Sequence, residues 1–113
     1  MVRRLALNLF GALCLSAMVG AAPTASPVAD AAMRGDVAAI RALLKEGADV
    51  NAARGDGMSA LHWAAERGNA ELAEMLVHAG ANVAAVTRIG QYAPLHVAAR
   101  AGSDAVAGVL LKA

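Results

Sequence analysis

Three histidines are the side chains of this chain best suited to act as a base or a metal ligand: His62, His78 and His96. Asp56, Ser59 and His62 stand three residues apart, so the residue types of a serine-hydrolase triad occur close together. At the start of a helix this spacing gives capping geometry, and no nucleophile elbow or oxyanion-hole motif lies nearby. We therefore reject a triad and predict that the chain is not an enzyme.

Metal, cofactor and nucleic-acid binding also lack support. No carboxylate or thiol is spaced to complete a tetrahedral zinc site with the histidines, and no glycine-rich phosphate-binding motif occurs. Without residues 1–21, which contain Arg3 and Arg4, the balance of Lys+Arg to Asp+Glu falls from 10:9 to 8:9. Such a chain has no basic groove for nucleic acid. We expect no metal, no cofactor and no nucleic-acid partner.

The first 21 residues are typical of a secretory signal peptide. Arg3 and Arg4 supply a positive start, an apolar run follows, and small residues surround Ala21, after which we place cleavage. The only cysteine, Cys14, is lost with this leader. The alternative is a membrane anchor retained over residues 5–22, although about 17 apolar or small residues is short for a bilayer span. We expect contact with a membrane only if the leader is retained.

The rest of the chain repeats a unit of 33 or 34 residues. The residues that open the first helix of each unit recur at spacings of 33 and 34: Ser26, Ser59 and Ala93. The glycines that close this helix recur at the same two spacings: Gly35, Gly68 and Gly102. A fixed period of this length predicts a repeat architecture, in which each unit buries its apolar face against its neighbours.

Three segments of the repeating unit carry a recognisable motif. Residues 59–65 read Ser-Ala-Leu-His-Trp-Ala-Ala, residues 93–99 read Ala-Pro-Leu-His-Val-Ala-Ala, and residues 47–52 read Gly-Ala-Asp-Val-Asn-Ala. They resemble the T-P-L-H-x-A-A and G-A-D-V-N-A motifs of ankyrin-repeat proteins. With the leader, the chain is similar to a bacterial member of the secreted or periplasmic type. The resemblance covers residues 26–113.

This resemblance implies an all-α solenoid of helix-turn-helix units joined by hairpin-like fingers. After a linker at 22–25 we expect an ankyrin-repeat domain at 26–113, with three repeats at about 26–53, 54–86 and 87–113. The third repeat has no closing glycine and no tail, so we expect it to be truncated and the chain to be a piece of a longer array.

The local pattern predicts how the helices and fingers begin and end. The predicted N-caps are polar residues that directly precede the helices: Ser26, Asp36, Ser59, Asn69 and Ser103. The predicted helices include 28–34, 60–67, 70–79 and 104–112. We expect Gly55 and Gly57 to turn the first finger, and the one extra residue of the second finger to lie near Gln91 and Tyr92.

The family resemblance also implies a role for the histidines and the surface. In such repeats the histidine ring bonds a hydroxyl and the backbone across the finger base; Ser59 can supply that hydroxyl to His62, whereas Ala93 leaves His96 without one. The family binds partners through the finger tips and the concave face of the first helices. The partner-binding residues implied by position are Asp56, Met58, Trp63, Glu66, Arg67, Arg88, Ile89, Gln91, Tyr92 and Arg100.

Some of these positions keep a second interpretation. For Trp63 the alternative is packing between repeats, and for Met58 and Ile89 the alternative is packing of one finger on the next. We expect a monomeric, non-catalytic scaffold that binds a protein partner in the periplasm or outside the cell. Two alternatives stay open: a membrane-anchored form, and an accessory domain of a larger periplasmic enzyme.

Overall fold

The computed structural model describes residues 26–113, so the predicted signal peptide and linker lie outside the described residues. Six α-helices occur in this part, in three successive pairs, and no strand is present among residues 26–113. Their bounds are α1 Pro27–Arg34, α2 Val37–Lys45, α3 Ala60–Arg67, α4 Ala70–His78, α5 Pro94–Ala101 and α6 Asp104–Lys112. The predicted all-α architecture of three helix-turn-helix repeats is confirmed.

The helix pairs stack side by side. The first helices form one row, in which α3 contacts both α1 and α5, and each first helix packs on the second helix of its own repeat. α4 also packs on α6. None of the helices within residues 26–113 is both long and apolar enough to cross a membrane.

The helix boundaries follow from capping. The side chain of Asp36 accepts a hydrogen bond from the backbone N–H of Ala39 at 3.0 Å, and that of Asn69 accepts one from Leu72 at 3.0 Å. Both predicted caps are thus confirmed, and each satisfies an N–H that the helix leaves free. Helix α1 begins at Pro27, one residue before the predicted start, because proline fits the first helical position.

Two predicted caps act differently. Ser26 and Ser103 occupy the N-cap positions of α1 and α6, but neither side chain caps its own helix. The hydroxyl of Ser103 instead donates to the carbonyl oxygen of Ala65 in the neighbouring repeat, at 3.1 Å. A serine predicted to stabilise one helix therefore connects two repeats.

The core runs through all three repeats and is rich in alanine. Small side chains on α1, α3 and α5 allow the helices to approach closely, and larger apolar groups fill the space between the two rows. The larger apolar residues that are fully buried are Val28, Ile40, Leu61, Leu72, Leu76, Val97 and Val106. On α2, Ile40 is fully buried, whereas Val37, Leu43 and Leu44 are partly buried.

Trp63 packs partly buried against this core, as one of its two interpretations predicts. Its indole Nε1 is buried and has no hydrogen-bond partner among residues 26–113. A buried donor without a partner costs about 1–3 kcal/mol. The indole therefore fills space at the cost of an unsatisfied N–H.

We expect Trp63→Phe to change the free energy of unfolding by less than about 1 kcal/mol. The lost contact area destabilises the fold, while removal of the unpaired N–H offsets that loss. Urea unfolding followed by circular dichroism measures the difference. A loss above about 2 kcal/mol would contradict the unpaired state of the indole, since Trp63→Phe would then also remove a hydrogen bond.

Candidate functional site

The ring of His62 lies fully buried at the base of the second finger, the segment between α4 and α5. Its Nδ1 accepts a hydrogen bond from the backbone N–H of Ser59 at 3.1 Å and lies 2.9 Å from the Ser59 hydroxyl. The proton of the neutral ring is therefore on Nε2, which donates to the carbonyl oxygen of Tyr92 at 2.8 Å. The predicted structural role of His62 is confirmed.

This arrangement excludes the triad considered above. Both ring nitrogens of His62 are engaged, and the carboxylate of Asp56 accepts from the backbone N–H of Met58 at 2.9 Å. Burial of the ring lowers the pKa of His62 below its usual value of 6.5, although the bond to Tyr92 and the charge of Asp56 act in the opposite direction. His62 thus stays neutral and holds the finger in place.

Acidification is expected to destabilise the fold through His62. Because its native pKa lies below the unfolded value, the unfolded chain takes up a proton before the native ring does. The contribution of the neutral His62 ring to the free energy of unfolding is complete above pH of about 6.5. It is lost as the pH falls from there towards the lowered native pKa. Urea unfolding between pH 7.5 and 5 should show the loss in the wild type and in His78→Gln, but not in His62→Gln. Wild-type stability that is constant across this range would refute the expectation.

The other two histidines do not join His62. Nδ1 of His96 accepts from the backbone N–H of Ala93 at 3.0 Å, and its exposed ring meets that of Tyr92 edge-on, with centroids 6.3 Å apart. Nδ1 of His78 lies 2.9 Å from the carbonyl oxygen of Glu74. Within residues 26–113 no group of three or more His, Cys, Asp or Glu side chains could hold a metal ion.

The turn of the first finger depends on Gly57. The backbone N–H of Arg54 donates to the carbonyl of Met58 at 3.1 Å, and that of Gly57 donates to Arg54 at 2.8 Å. Gly57 has φ of 86°, a conformation that favours glycine. Gly55 also lies in the turn that this bond closes, as predicted, but it does not have a positive φ, so Gly57 is the left-handed residue of the two.

The second finger closes in the same way with one more residue. Here the backbone N–H of Thr87 donates to the carbonyl of Tyr92 at 3.1 Å. This closing bond joins residues that are five positions apart, whereas Arg54 and Met58 in the first finger are four positions apart. Gln91, within this loop, has φ of 50°. The extra residue therefore lies where the spacing predicts it.

The two finger tips are bonded to each other. The backbone N–H of Arg88 donates to the carbonyl of Asp56, and its Nη1 donates to the carbonyl of Gly55, both at 3.0 Å. Further back, Asn51 donates from Nδ2 to the carbonyl of Gly80 at 3.2 Å and accepts from the backbone N–H of Asn82 at 2.7 Å. Neighbouring fingers are thus fixed relative to one another at both ends.

A groove of about 380 Å³ lies between the two tips, and we call it the finger groove. It is lined by Gly55, Asp56, Met58, Thr87, Arg88, Ile89 and Tyr92. Ile89 is 87% exposed and Tyr92 is 42% exposed, while Met58 is half-buried. These exposed apolar side chains make the finger groove a candidate interaction site.

The surface next to the groove continues onto the first helices. The guanidinium of Arg100 lies over the ring of Tyr92, 5.2 Å from its centroid, and also 3.5 Å from a carboxylate oxygen of Glu66. Arg67 is different, because its Nη1 donates to the carbonyl of Met33 at 3.0 Å. Arg67 therefore connects α3 to the preceding repeat.

The predicted partner-binding residues fall into three groups. Asp56, Met58, Arg88, Ile89 and Tyr92 line the finger groove, and Glu66 and Arg100 adjoin it. Trp63 packs on the core, Arg67 bonds to the neighbouring repeat, and Gln91 is exposed at the tip without lining the groove.

Thr87 is a groove residue that sequence reasoning missed. Its hydroxyl donates to the carbonyl of Ile89 at 2.9 Å and accepts from the backbone N–H of Tyr92 at 3.0 Å. It therefore fixes the loop that carries both exposed apolar side chains. The signal in the sequence is a hydroxyl residue at the start of a loop, which commonly bonds backbone groups two or more residues away.

Comparison with known proteins agrees with this architecture. The sequence model of the family described as Ankyrin repeats (3 copies) matches residues 7–87 and residues 28–113, and the first match begins inside the predicted leader. Among solved structures, the chain is similar to the human ASB11 ankyrin repeat domain, with 37% identity and a TM-score of 0.70. The match covers 77% of this chain and 39% of that chain, so the chain spans about two fifths of that relative.

Proposed function

Because the chain belongs to the ankyrin-repeat family, we propose that it is a non-catalytic scaffold that binds another protein through the finger groove and the adjoining surface of α3 and α5. Ankyrin repeats are in general protein-protein interaction modules. Stacked repeats present an extended binding surface on a frame in which each unit contacts only its neighbours.

The observation that carries this proposal is the exposure of Ile89 and Tyr92 on one rigid groove. Neither side chain belongs to the core of the fold. Contact of their apolar surface with water is unfavourable, and a partner that covers them would remove this contact. The loop that bears them is fixed by Thr87 and by the bonds of Arg88 to the first finger. A surface fixed before binding loses less conformational entropy when a partner docks.

Partner binding can be tested with a pair of surface variants. Ile89→Ser combined with Tyr92→Ser removes the apolar wall of the groove, and Leu111→Ser, on the exposed surface of α6, is the matched control. Proteins from an extract of the source organism that bind the purified wild type and the control, but not the groove variant, are candidate partners. Calorimetry with the purified candidate should then give at least a tenfold weaker Kd for the groove variant. Equal affinity of all three proteins would contradict the proposed surface.

We further propose that the protein is bacterial and exported, that residues 1–21 are a signal peptide cleaved after Ala21, and that the mature scaffold is periplasmic or secreted. The positive start at Arg3 and Arg4 and the apolar run that follows support export. Sequencing the N-terminus of the protein from its natural host should give a start near Ala22. A start at residue 1 or 2 in the membrane fraction would favour the anchored form instead.

A further inference from the structure

We infer that the finger groove receives a partner segment in which a large apolar side chain lies next to a carboxylate. This inference rests on the proposed scaffold function and specifies the chemistry of its partner. The apolar side chain would occupy the space between Met58, Ile89 and Tyr92, and the carboxylate would pair with the guanidinium of Arg88.

The size and lining of the groove fit a short segment. Its volume of about 380 Å³ is near the lower limit of the ~300–1,000 Å³ typical of ligand pockets. Its apolar residues come from both fingers: Met58 from the first, Ile89 and Tyr92 from the second. A large apolar side chain inserted there would cover the most exposed of them, Ile89, at 87%.

Arg88 provides the charge that a carboxylate requires. Its backbone and its Nη1 are both held by the first finger, so the guanidinium is already positioned at the groove wall. A guanidinium has five N–H donors in a fixed fork. Among residues 26–113, no carboxylate oxygen lies within 4.0 Å of this side chain, in contrast to Arg54 and Arg100. Remaining donors are therefore available for a carboxylate.

The other charged groups at or beside the groove also make contacts within the fold. The carboxylate of Asp56 accepts from the backbone N–H of Met58, and its charge acts on the buried ring of His62. Arg100 lies between Glu66 and the ring of Tyr92. Arg88 is thus the groove residue whose charge has no charged partner among residues 26–113 and whose free N–H donors face the segment, which favours an acidic segment over a basic one.

A random 12-residue peptide library displayed on phage tests this inference directly. Selection on the immobilised wild-type protein should enrich peptides with Leu, Ile, Met, Phe or Trp within two positions of Asp or Glu. Kd values of the synthesised peptides should rise at least tenfold in Arg88→Gln and in Ile89→Ser. They should change less than twofold in Arg41→Gln, an exposed arginine on α2. Circular dichroism melts confirm that each variant is folded, and Arg88→Lys, which keeps the charge but not the fork, should give an intermediate Kd.

The opposite outcomes separate this inference from the scaffold function. Enrichment of basic apolar peptides that need Ile89 would overturn the inferred chemistry, while the groove would remain a binding site. Enriched peptides that bind Ile89→Ser and Arg88→Gln as tightly as the wild type would overturn the inference, because their site lies elsewhere. A library without enrichment would also overturn it, and the capture experiment with Ile89→Ser and Tyr92→Ser would still decide the scaffold function.

Discussion

Leu61→Ala is expected to lower the free energy of unfolding by roughly 2–5 kcal/mol. Leu61 is only 1% exposed and belongs to the core that joins the three repeats. Its truncation removes apolar contacts and leaves a cavity that the surrounding helices fill only in part. In a solenoid this position supports both its own repeat and the packing of the next one. Chemical denaturation with a linear extrapolation to water measures the loss.

Leu95→Ala is the matched control, because Leu95 is the same residue type at the same position of the third repeat. It is 37% exposed, so its truncation should cost only about 1–2 kcal/mol. Similar losses for the two variants would show that the burial of Leu61 does not determine the stability of the array.

Gly57→Ala should be the most damaging change on the fingers, with a loss of roughly 1–3 kcal/mol for the backbone strain alone. Gly57 has φ of 86°, a backbone conformation that residues other than glycine rarely adopt. A Cβ at this position would also lie 2.7 Å from the backbone nitrogen of Arg88 and 3.0 Å from the Cα of Thr87. These are backbone atoms, so the two fingers would have to separate, and the finger groove between them would change shape.

Gly55→Ala provides the control for this prediction. Gly55 lacks a positive φ, and a Cβ there would have no neighbour within 4 Å. We therefore expect a change within about 0.5 kcal/mol. Thermal melts and partner binding measured on both variants compare stability and groove shape together. Equal effects of the two substitutions would contradict the close approach of the fingers at Gly57.

The frame of the molecule could be predicted from sequence because its signals are local. The glycines that close the first helices, such as Gly68 at φ of 67°, and the caps Asp36 and Asn69 act within a few residues of their own position. Their spacing therefore gives the helix boundaries to within one residue. The structural role of His62 was implied by the family resemblance, and its partner Ser59 lies three residues away.

Bonds between repeats were harder to predict, because they depend on how two distant segments align. The hydroxyl of Ser103 reaches the carbonyl of Ala65, and the guanidinium of Arg67 reaches that of Met33, each more than 30 residues away. From sequence, Ser103 resembles an ordinary cap and Arg67 an exposed recognition residue. Only the stacking of the helices shows that both connect neighbouring repeats.

The longer loop of the second finger also affects how this chain can change in length. The segment from Thr87 to Tyr92 accommodates one more residue than its counterpart, yet the closing hydrogen bond is the same and the following helix begins at the expected place. The loop thus takes up an inserted residue without a change in the packing of the helices. A foreign peptide grafted next to Gln91 should be displayed on an undisturbed solenoid.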